Sequence, residues 1–225
     1  MNEPAIRLEE QIINLFPNFE TEIYQGWVLK ETSCHLVIYP LYGSSDKDIV
    51  ERIKVCEEVS RQKSLSCEFR IVEHTNYHLA SRLEECGYDI KNCCIVAERH
   101  MNEGDFSINR NSYEESGKSK VSLSKMVETD IIENIVAEGN TVIGIKRQEL
   151  LYLPNGKLPC SVDMDDIFQL AVKNQVSRIL ADISENGEQL AYYEKAGFHK
   201  AYLYRCYQKE DIIDEFTERE MCHGN

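Results

Sequence analysis

The sequence predicts an α/β (α+β) fold with a mixed sheet. The fold is built from two related units, of which the N-terminal one is partial. Helical and strand-like periodicities alternate along most of the 225 residues. The two halves also repeat one order of elements, which indicates an internal duplication. A hydrophobic content of 42% in a chain of this length provides enough apolar surface for a substantial core.

The first half predicts one helix and two strands, followed by a helix–strand–helix–strand series. Its apolar residues fall at helical spacing in the helices and in short runs in the strands. Pro40 closes the second strand, and Gly87 ends the last helix. In order, we expect a helix at 4–16, strands at 26–30 and 35–39, a helix from Asp46 or Asp48 to about Lys63, a strand at 67–72, a helix at 76–86 and a strand at 90–97.

The second half repeats this plan after a polar segment. Residues 101–120 carry few apolar side chains and many Ser, Asn and Gly, so we expect a linker or a long surface loop there, between units at 1–100 and 121–225. The predicted elements of the second unit are strands at 141–147 and 149–153, a helix at about 164–174, a strand at 177–183, a helix at 187–196 and a strand at 199–207.

Two pairs of segments carry the repeat. Residues 83–88 (LEECGY) match 193–198 (YEKAGF) at an offset of 110 residues, close to half the chain. Residues 36–40 (LVIYP) match 150–154 (LLYLP) at an offset of 114 residues. Both matches place a strand or a helix end at the same point of each half, as a duplicated α/β unit requires.

The charge and the cysteine spacing exclude several classes of protein. The 39 acidic and 25 basic residues give a net charge of −14, which argues against a nucleic acid or an anionic membrane as partner. The N-terminus resembles no signal peptide, and no apolar run approaches the length of a membrane-spanning helix. The nine cysteines form no Cys-x-x-Cys pair. We therefore expect a reduced cytoplasmic protein without a metal site.

The segment 179–207 resembles the GNAT superfamily of acyl-CoA-dependent N-acyltransferases. The motif consists of Asn186 after a strand, Tyr193 seven residues later, and a Lys-x-Gly-Phe turn at 195–198. Gln189 stands where the family often has Ala. Residues 26–88 are similar to the partial first domain of tandem GNAT proteins.

This resemblance implies that acetyl-CoA lies between two splayed strands and donates its acetyl group to a primary amine of a small molecule. Tyr193 is then the general acid for the CoA thiolate, and Glu149 is the candidate base. The implied cofactor-binding residues are Leu151, Leu153, Gly156, Lys157, Ser161 and Asn186. Two structural alternatives stay open: Tyr193 as a core aromatic residue and Glu149 as a solvated carboxylate at a strand end.

The loop that holds the CoA pyrophosphate in the family departs from its pattern here. Residues 155–163 contain one Gly and Pro159, and Asp163, Asp165 and Asp166 surround the first turn of the next helix. These carboxylates cap a helix well but repel a pyrophosphate. The alternative function is therefore a non-catalytic GNAT-like binding or regulatory protein. In the first unit, residues 43–45 (GSS) are a softer anion nest, but Leu83 replaces the tyrosine. The acidic tail at 209–220 suggests docking onto the body or onto a second subunit in a homodimer.

Overall fold

A computed structural model describes residues 3–16, 20–42, 48–102, 105, 121–125, 132–137, 141–154, 156–185 and 187–209. The helices and strands are α1 (Glu3–Ile13), β1 (Thr21–Tyr24), β2 (Trp27–Glu31), β3 (His35–Tyr39), α2 (Ile49–Gln62), β4 (Ser66–Val72), α3 (Tyr77–Glu85), β5 (Asp89–His100), β6 (Val121–Lys125), β7 (Ile132–Ala137), β8 (Thr141–Arg147), β9 (Leu150–Leu153), α4 (Met164–Lys173), β10 (Arg178–Ser184), α5 (Gly187–Lys195) and β11 (His199–Gln208). The predicted α/β fold is confirmed, and each predicted element is present with its ends within three residues.

Three strands were not predicted from the sequence. Strand β1 is exposed along most of its length and therefore lacks the apolar alternation that identifies a strand. Strands β6 and β7 flank segments that lie outside the described residues. Most of the predicted linker, the tail beyond Lys209 and the loop at 43–45 also lie outside them. The division into 1–100 and 121–225 stays a prediction.

The chain forms two compact units. The larger unit comprises residues 1–19, 72–75 and 92–205, and the smaller unit comprises 20–71, 76–91 and 206–225. Strands β5 and β11 contribute residues to both units. Among the residues described, no helix is both long enough and apolar enough to cross a membrane.

In the smaller unit, strands β1 to β4 lie side by side in chain order. Strand β2 pairs antiparallel with both β1 and β3, whereas β3 and β4 are parallel because α2 connects them. The core on the helix side contains Trp27, Phe69 and Tyr88, whose rings meet edge to face. Aromatic packing therefore supplies much of the apolar burial of this unit.

In the larger unit, the strand order is β11-β5-β10-β9-β8-β7-β6. Strand β10 is antiparallel to β5 and parallel to β9, with α4 as the crossover, and β9 to β6 form an antiparallel meander. Helices α4 and α5 pack on one face of this sheet, where Ile167 and Tyr193 enter the core. Helix α1 contacts the other face, because buried Glu9 accepts a hydrogen bond from the Tyr202 hydroxyl.

The repeated segments adopt the same local structure. Gly87 and Gly197 have φ values of +85° and +83°, the left-handed conformation that ends a helix and that glycine adopts without strain. The next residue of each copy, Tyr88 or Phe198, donates its backbone N–H to the carbonyl of Leu83 or Tyr193, at 3.0 and 3.1 Å. The sequence match at an offset of 110 residues therefore corresponds to a shared helix-terminating motif.

Candidate functional site

The pairing of the parallel strands β9 and β10 stops before the end of β10, and we call the region beyond the last pair the fork. They pair from Leu150 and Arg178 up to Leu153 and Ala181. Strand β9 ends there, while β10 continues to Ser184. In an open α/β sheet, ligands bind in the crevice outside the carboxyl ends of the strands.

Residue Gly156 fills the fork of this chain. It is buried, and a Cβ atom added to it would lie 2.5 Å from the Asp182 carbonyl oxygen and 2.8 Å from Gln189 Nε2. The Gln189 side-chain oxygen in turn accepts a hydrogen bond of 2.9 Å from the Ser184 backbone N–H. The chain that follows β9 thus packs directly against β10, leaving no room there even for a methyl group.

Tyr193 holds this arrangement from the helix side. Its side chain is fully buried, and its hydroxyl donates a hydrogen bond of 2.9 Å to the carbonyl oxygen of Gly156. Its ring meets Phe198 edge to face at 4.9 Å. Burial, with a smaller contribution from Tyr192, raises the pKa of the Tyr193 hydroxyl above its ordinary value. The phenol is therefore neutral at physiological pH, and its proton is directed at a backbone carbonyl.

The start of α4 carries its own carboxylates. Asp163 accepts a hydrogen bond of 3.0 Å from the Asp166 backbone N–H, and Asp166 accepts one of 3.0 Å from the Asp163 N–H. This reciprocal capping box satisfies donors that would otherwise be open to an anion. Asp165 adds a third negative charge to the same turn. The first turn of α4 therefore favours cations over a pyrophosphate.

The predicted cofactor-binding residues of β9 are engaged within the sheet. Leu151 pairs with Lys146 of β8 on one side and with Ile179 of β10 on the other. Leu153 pairs with Ala181, the last pair before the fork. Both leucine side chains are buried in the core of the larger unit. Lys157 and Ser161 are exposed in the loop before α4, and Asn186 lies outside the described residues.

Glu149 lies at the opposite end of these strands from Tyr193. It is exposed in the turn before β9, and its carbonyl accepts hydrogen bonds from the N–H groups of Ser177 and Arg178. It lines a cleft of about 480 Å³. Asp182 comes four positions after Arg178 on β10, which corresponds to about 13 Å of strand. The structure does not bring Glu149 and Tyr193 together.

A buried carboxylate at the fork was missed from the sequence. Asp182 lies one residue beyond the last β9–β10 pair, and one of its oxygens accepts hydrogen bonds of 2.8 Å from both Tyr152 and Tyr204. The only signal for it was a single acid in the apolar run 179–183. Its partners lie on β9 and β11, 30 and 22 residues away, and sequence spacing does not reveal them.

Known structures share this arrangement of strands and helices. The chain is similar to a GCN5-related N-acetyltransferase from Kribbella flavida, with a TM-score of 0.56, 11% identity, and coverage of 92% of this chain and 95% of that one. It is also similar to a functionally unknown conserved protein from Staphylococcus epidermidis, with a TM-score of 0.51, 9% identity, and coverage of 89% and 98%. This chain has the GNAT fold. No family model matches its sequence. No curated protein is a significant match either.

The GNAT fold implies acetyl-CoA as acyl donor, and the residues at this fork do not fit it. Gly156 packs against β10 beyond the last β9–β10 pair, and Leu151 has no open strand edge. The capping box takes the Asp166 N–H at the helix start that would face the pyrophosphate, and three carboxylates surround that turn. At 11% identity the likeness establishes the fold alone, so the chemistry must be argued from these residues.

Proposed function

We propose that this chain is a GNAT-fold protein that has lost the acyl-CoA site at its fork and acts as a binding or regulatory protein. The observation that carries the proposal is the start of α4, where Asp163 and Asp166 bond each other's backbone N–H groups. A helix N-terminus binds phosphate through free N–H groups and a positive dipole end. Here one of those groups is taken, and three carboxylates reverse the local charge.

Electrostatics and packing act in the same direction. Like charges at about 4 Å repel by about 1 kcal/mol in water, and by more where solvent is displaced. A bound pyrophosphate would carry at least two negative charges past Asp163 and Asp165. The pantetheine arm would also have to displace Gly156 and break its hydrogen bond with Tyr193. Acetyl-CoA could therefore bind only after both the start of α4 and the contact between Gly156 and Tyr193 had rearranged.

The second candidate function is acetyl transfer from acetyl-CoA to a primary amine of a small molecule. The similarity to a GCN5-related N-acetyltransferase supports it, as does the Tyr193 hydroxyl at the fork. In this case Gly156 must move away from β10 before the donor binds. Glu149 as base, a homodimer and a cytoplasmic location stay predictions.

Thermal unfolding with acetyl-CoA distinguishes the two functions. A ligand at about 100 times its Kd stabilises a protein by about 2.7 kcal/mol. We expect about 1 mM acetyl-CoA to leave the unfolding midpoint unchanged, with ATP as the control for nonspecific anion binding. The Asp165→Asn variant reduces the charge without removing the capping box. A rise in the midpoint of the wild type with acetyl-CoA but not with ATP would overturn the proposal.

A further inference from the structure

A cleft of about 480 Å³ lies at the opposite end of β9 and β10 from the fork. Arg147, Gln148 and Glu149 line it from the turn between β8 and β9, and Gln11, Asn14 and Arg178 line it from the end of α1 and the start of β10. All six residues belong to the larger unit. The volume suits a small molecule, since ligand sites measure roughly 300–1,000 Å³. We call this cleft the turn cleft.

Two opposite charges line the turn cleft without neutralising each other. Arg147 and Glu149 are separated in sequence by Gln148 alone, yet they form no ion pair with each other. The Arg147 guanidinium instead donates a hydrogen bond of 2.5 Å to the backbone carbonyl oxygen of Asn14. Within the described part of the chain, the Glu149 carboxylate has no hydrogen bond or ion pair. One positive and one negative group therefore remain for a ligand.

The backbone holds both groups in place. Asn14 follows the last residue of α1, so its bond with Arg147 puts a cation at the C-terminal end of that helix, where the dipole favours it. The Glu149 carbonyl accepts hydrogen bonds of 2.9 and 3.1 Å from the N–H groups of Ser177 and Arg178. Charged groups that are positioned in advance reduce the ordering cost of binding a ligand.

The other cationic groups of the turn cleft already have partners. The Arg178 guanidinium lies 3.4 Å from one oxygen of Glu98 and also bonds the Gln11 side chain. His100, which also lines the cleft, has its Nε2 atom 3.3 Å from the same Glu98 oxygen. Arg147 is therefore the guanidinium that a bound carboxylate would meet.

The neighbouring cleft, of about 640 Å³, offers a contrast. Its two carboxylates, Glu3 and Glu98, both form ion pairs with arginines that line the same cleft. Glu3 lies 2.5 Å from Arg7, and Glu98 lies 3.4 Å from Arg178. An ammonium group entering this cleft would have to displace a guanidinium, whereas Glu149 in the turn cleft has no such competitor.

We propose that the turn cleft binds a free α-amino acid as a zwitterion, with its carboxylate on Arg147 and its ammonium group on Glu149. A guanidinium pairs with a carboxylate through two parallel N–H donors. An anion alone would be repelled by Glu149, and a cation alone by Arg147. An α-amino acid carries both charges on one carbon atom and can therefore bridge two groups that do not touch. The turn cleft and the fork share no residue, so amino-acid binding and acetyl-CoA binding succeed or fail independently.

Gln148 adds an amide to the turn cleft at a strained position. Its φ of +52° lies in the left-handed region, which glycine adopts without strain and glutamine does not. Its side chain lines the cleft between the two charged residues. Gln148→Gly should therefore raise the thermal unfolding midpoint of the chain while weakening amino-acid binding. A simple packing role for Gln148 predicts no change in binding.

The test is calorimetric titration of the full chain with each proteinogenic L-amino acid. We expect at least one of them to bind saturably with a Kd below about 1 mM. The amide of that amino acid lacks the carboxylate and its N-acetyl derivative lacks the ammonium group, so each should bind at least about tenfold more weakly. Absence of saturable heat for every amino acid up to about 10 mM, or equal binding of either derivative, would refute the proposal.

Variants assign the ligand to the turn cleft. Arg147→Gln and Glu149→Gln should each raise the Kd by at least about tenfold, because one charge of the ligand then lacks its partner. Arg7→Gln and Glu3→Gln are the matched controls, since they remove the same charges from the neighbouring cleft, and they should leave the Kd unchanged. Thermal unfolding without ligand checks that each variant is folded. A Kd that changes in neither cleft, or equally in both, would place the amino acid elsewhere and contradict the assignment.

Discussion

Leu83 and Tyr193 occupy the same position in two copies of one local structure. Both side chains are fully buried, and both residues accept the backbone N–H of the aromatic residue that follows the helix-ending glycine. Leu83 packs among apolar residues of the smaller unit, whereas the Tyr193 hydroxyl bonds Gly156. The helix-terminating motif therefore forms without a tyrosine, and the hydroxyl adds a contact to the chain after β9.

The two crossover helices differ in the same way. Helix α2 has Asp48 at its N-cap without a side-chain capping bond, whereas α4 has the reciprocal box of Asp163 and Asp166. The tyrosine hydroxyl and the capping box therefore both lie at the fork of the larger unit. A match to a family's helix-glycine-aromatic segment thus indicates how a helix ends, and the residues around it decide whether a ligand can enter.

The largest expected effect comes from filling the fork. Gly156→Ala places a methyl group 2.5 Å from the Asp182 carbonyl at a φ of +56°. Steric overlap and left-handed strain together should cost about 4 kcal/mol of unfolding free energy. Gly197→Ala is the matched control: its φ is +83° but its nearest contact is 3.5 Å, so it should lose only about 1 kcal/mol. Urea unfolding measures both, and equal losses would show that Gly156 is not packed against β10.

The hydroxyl of Tyr193 is expected to have the next largest effect. Tyr193→Phe leaves the Gly156 carbonyl without its donor, which should cost about 2 kcal/mol. Tyr192→Phe alters the exposed neighbour and should change stability by less than about 0.5 kcal/mol. If the two variants are equally stable in urea, the hydroxyl does not hold the loop.

At alkaline pH, Tyr193 should cause a loss of unfolding free energy of a similar size, which Leu83 cannot cause. Because burial raises the pKa of Tyr193, the folded chain retains this proton where the unfolded chain, with a tyrosine pKa near 10, releases it. Stability should therefore fall as pH rises above about 10, by up to about 1.4 kcal/mol per pH unit from this group. Tyr193→Phe should fall less steeply in urea unfolding at several pH values. Parallel profiles would contradict the burial of a protonated phenol.

The smallest effect concerns the helix starts. Asp163→Ala removes the capping bond to Asp166 and should cost about 1 kcal/mol. Asp48→Ala removes a residue without a side-chain capping bond and should cost less than about 0.5 kcal/mol. Thermal unfolding of the two variants tests this, and a larger loss for Asp48→Ala would reverse the assignment of the capped helix.

The sequence was sufficient for the helices and most strands because their apolar residues follow the periods of 3.6 and 2. It was insufficient for β1, where Ile23 is 77% exposed and no apolar face exists. The fold resemblance came from the motif in the segment 179–207, which is local. The state of the fork depends on contacts between distant segments, such as Gly156 with Asp182 and Tyr193, and no local pattern encodes them. Asp163 is the exception, since its cap is formed within one turn.

The central claim, that the fork is closed to an acyl donor, is tested most directly by calorimetric titration of the wild-type chain with acetyl-CoA. A GNAT-fold chain with an open fork would give a saturable heat of binding with a micromolar Kd. We predict no saturable heat up to about 1 mM ligand, which corresponds to a binding free energy weaker than about 4.1 kcal/mol. A micromolar Kd would contradict the account and restore acetyl transfer as the leading function.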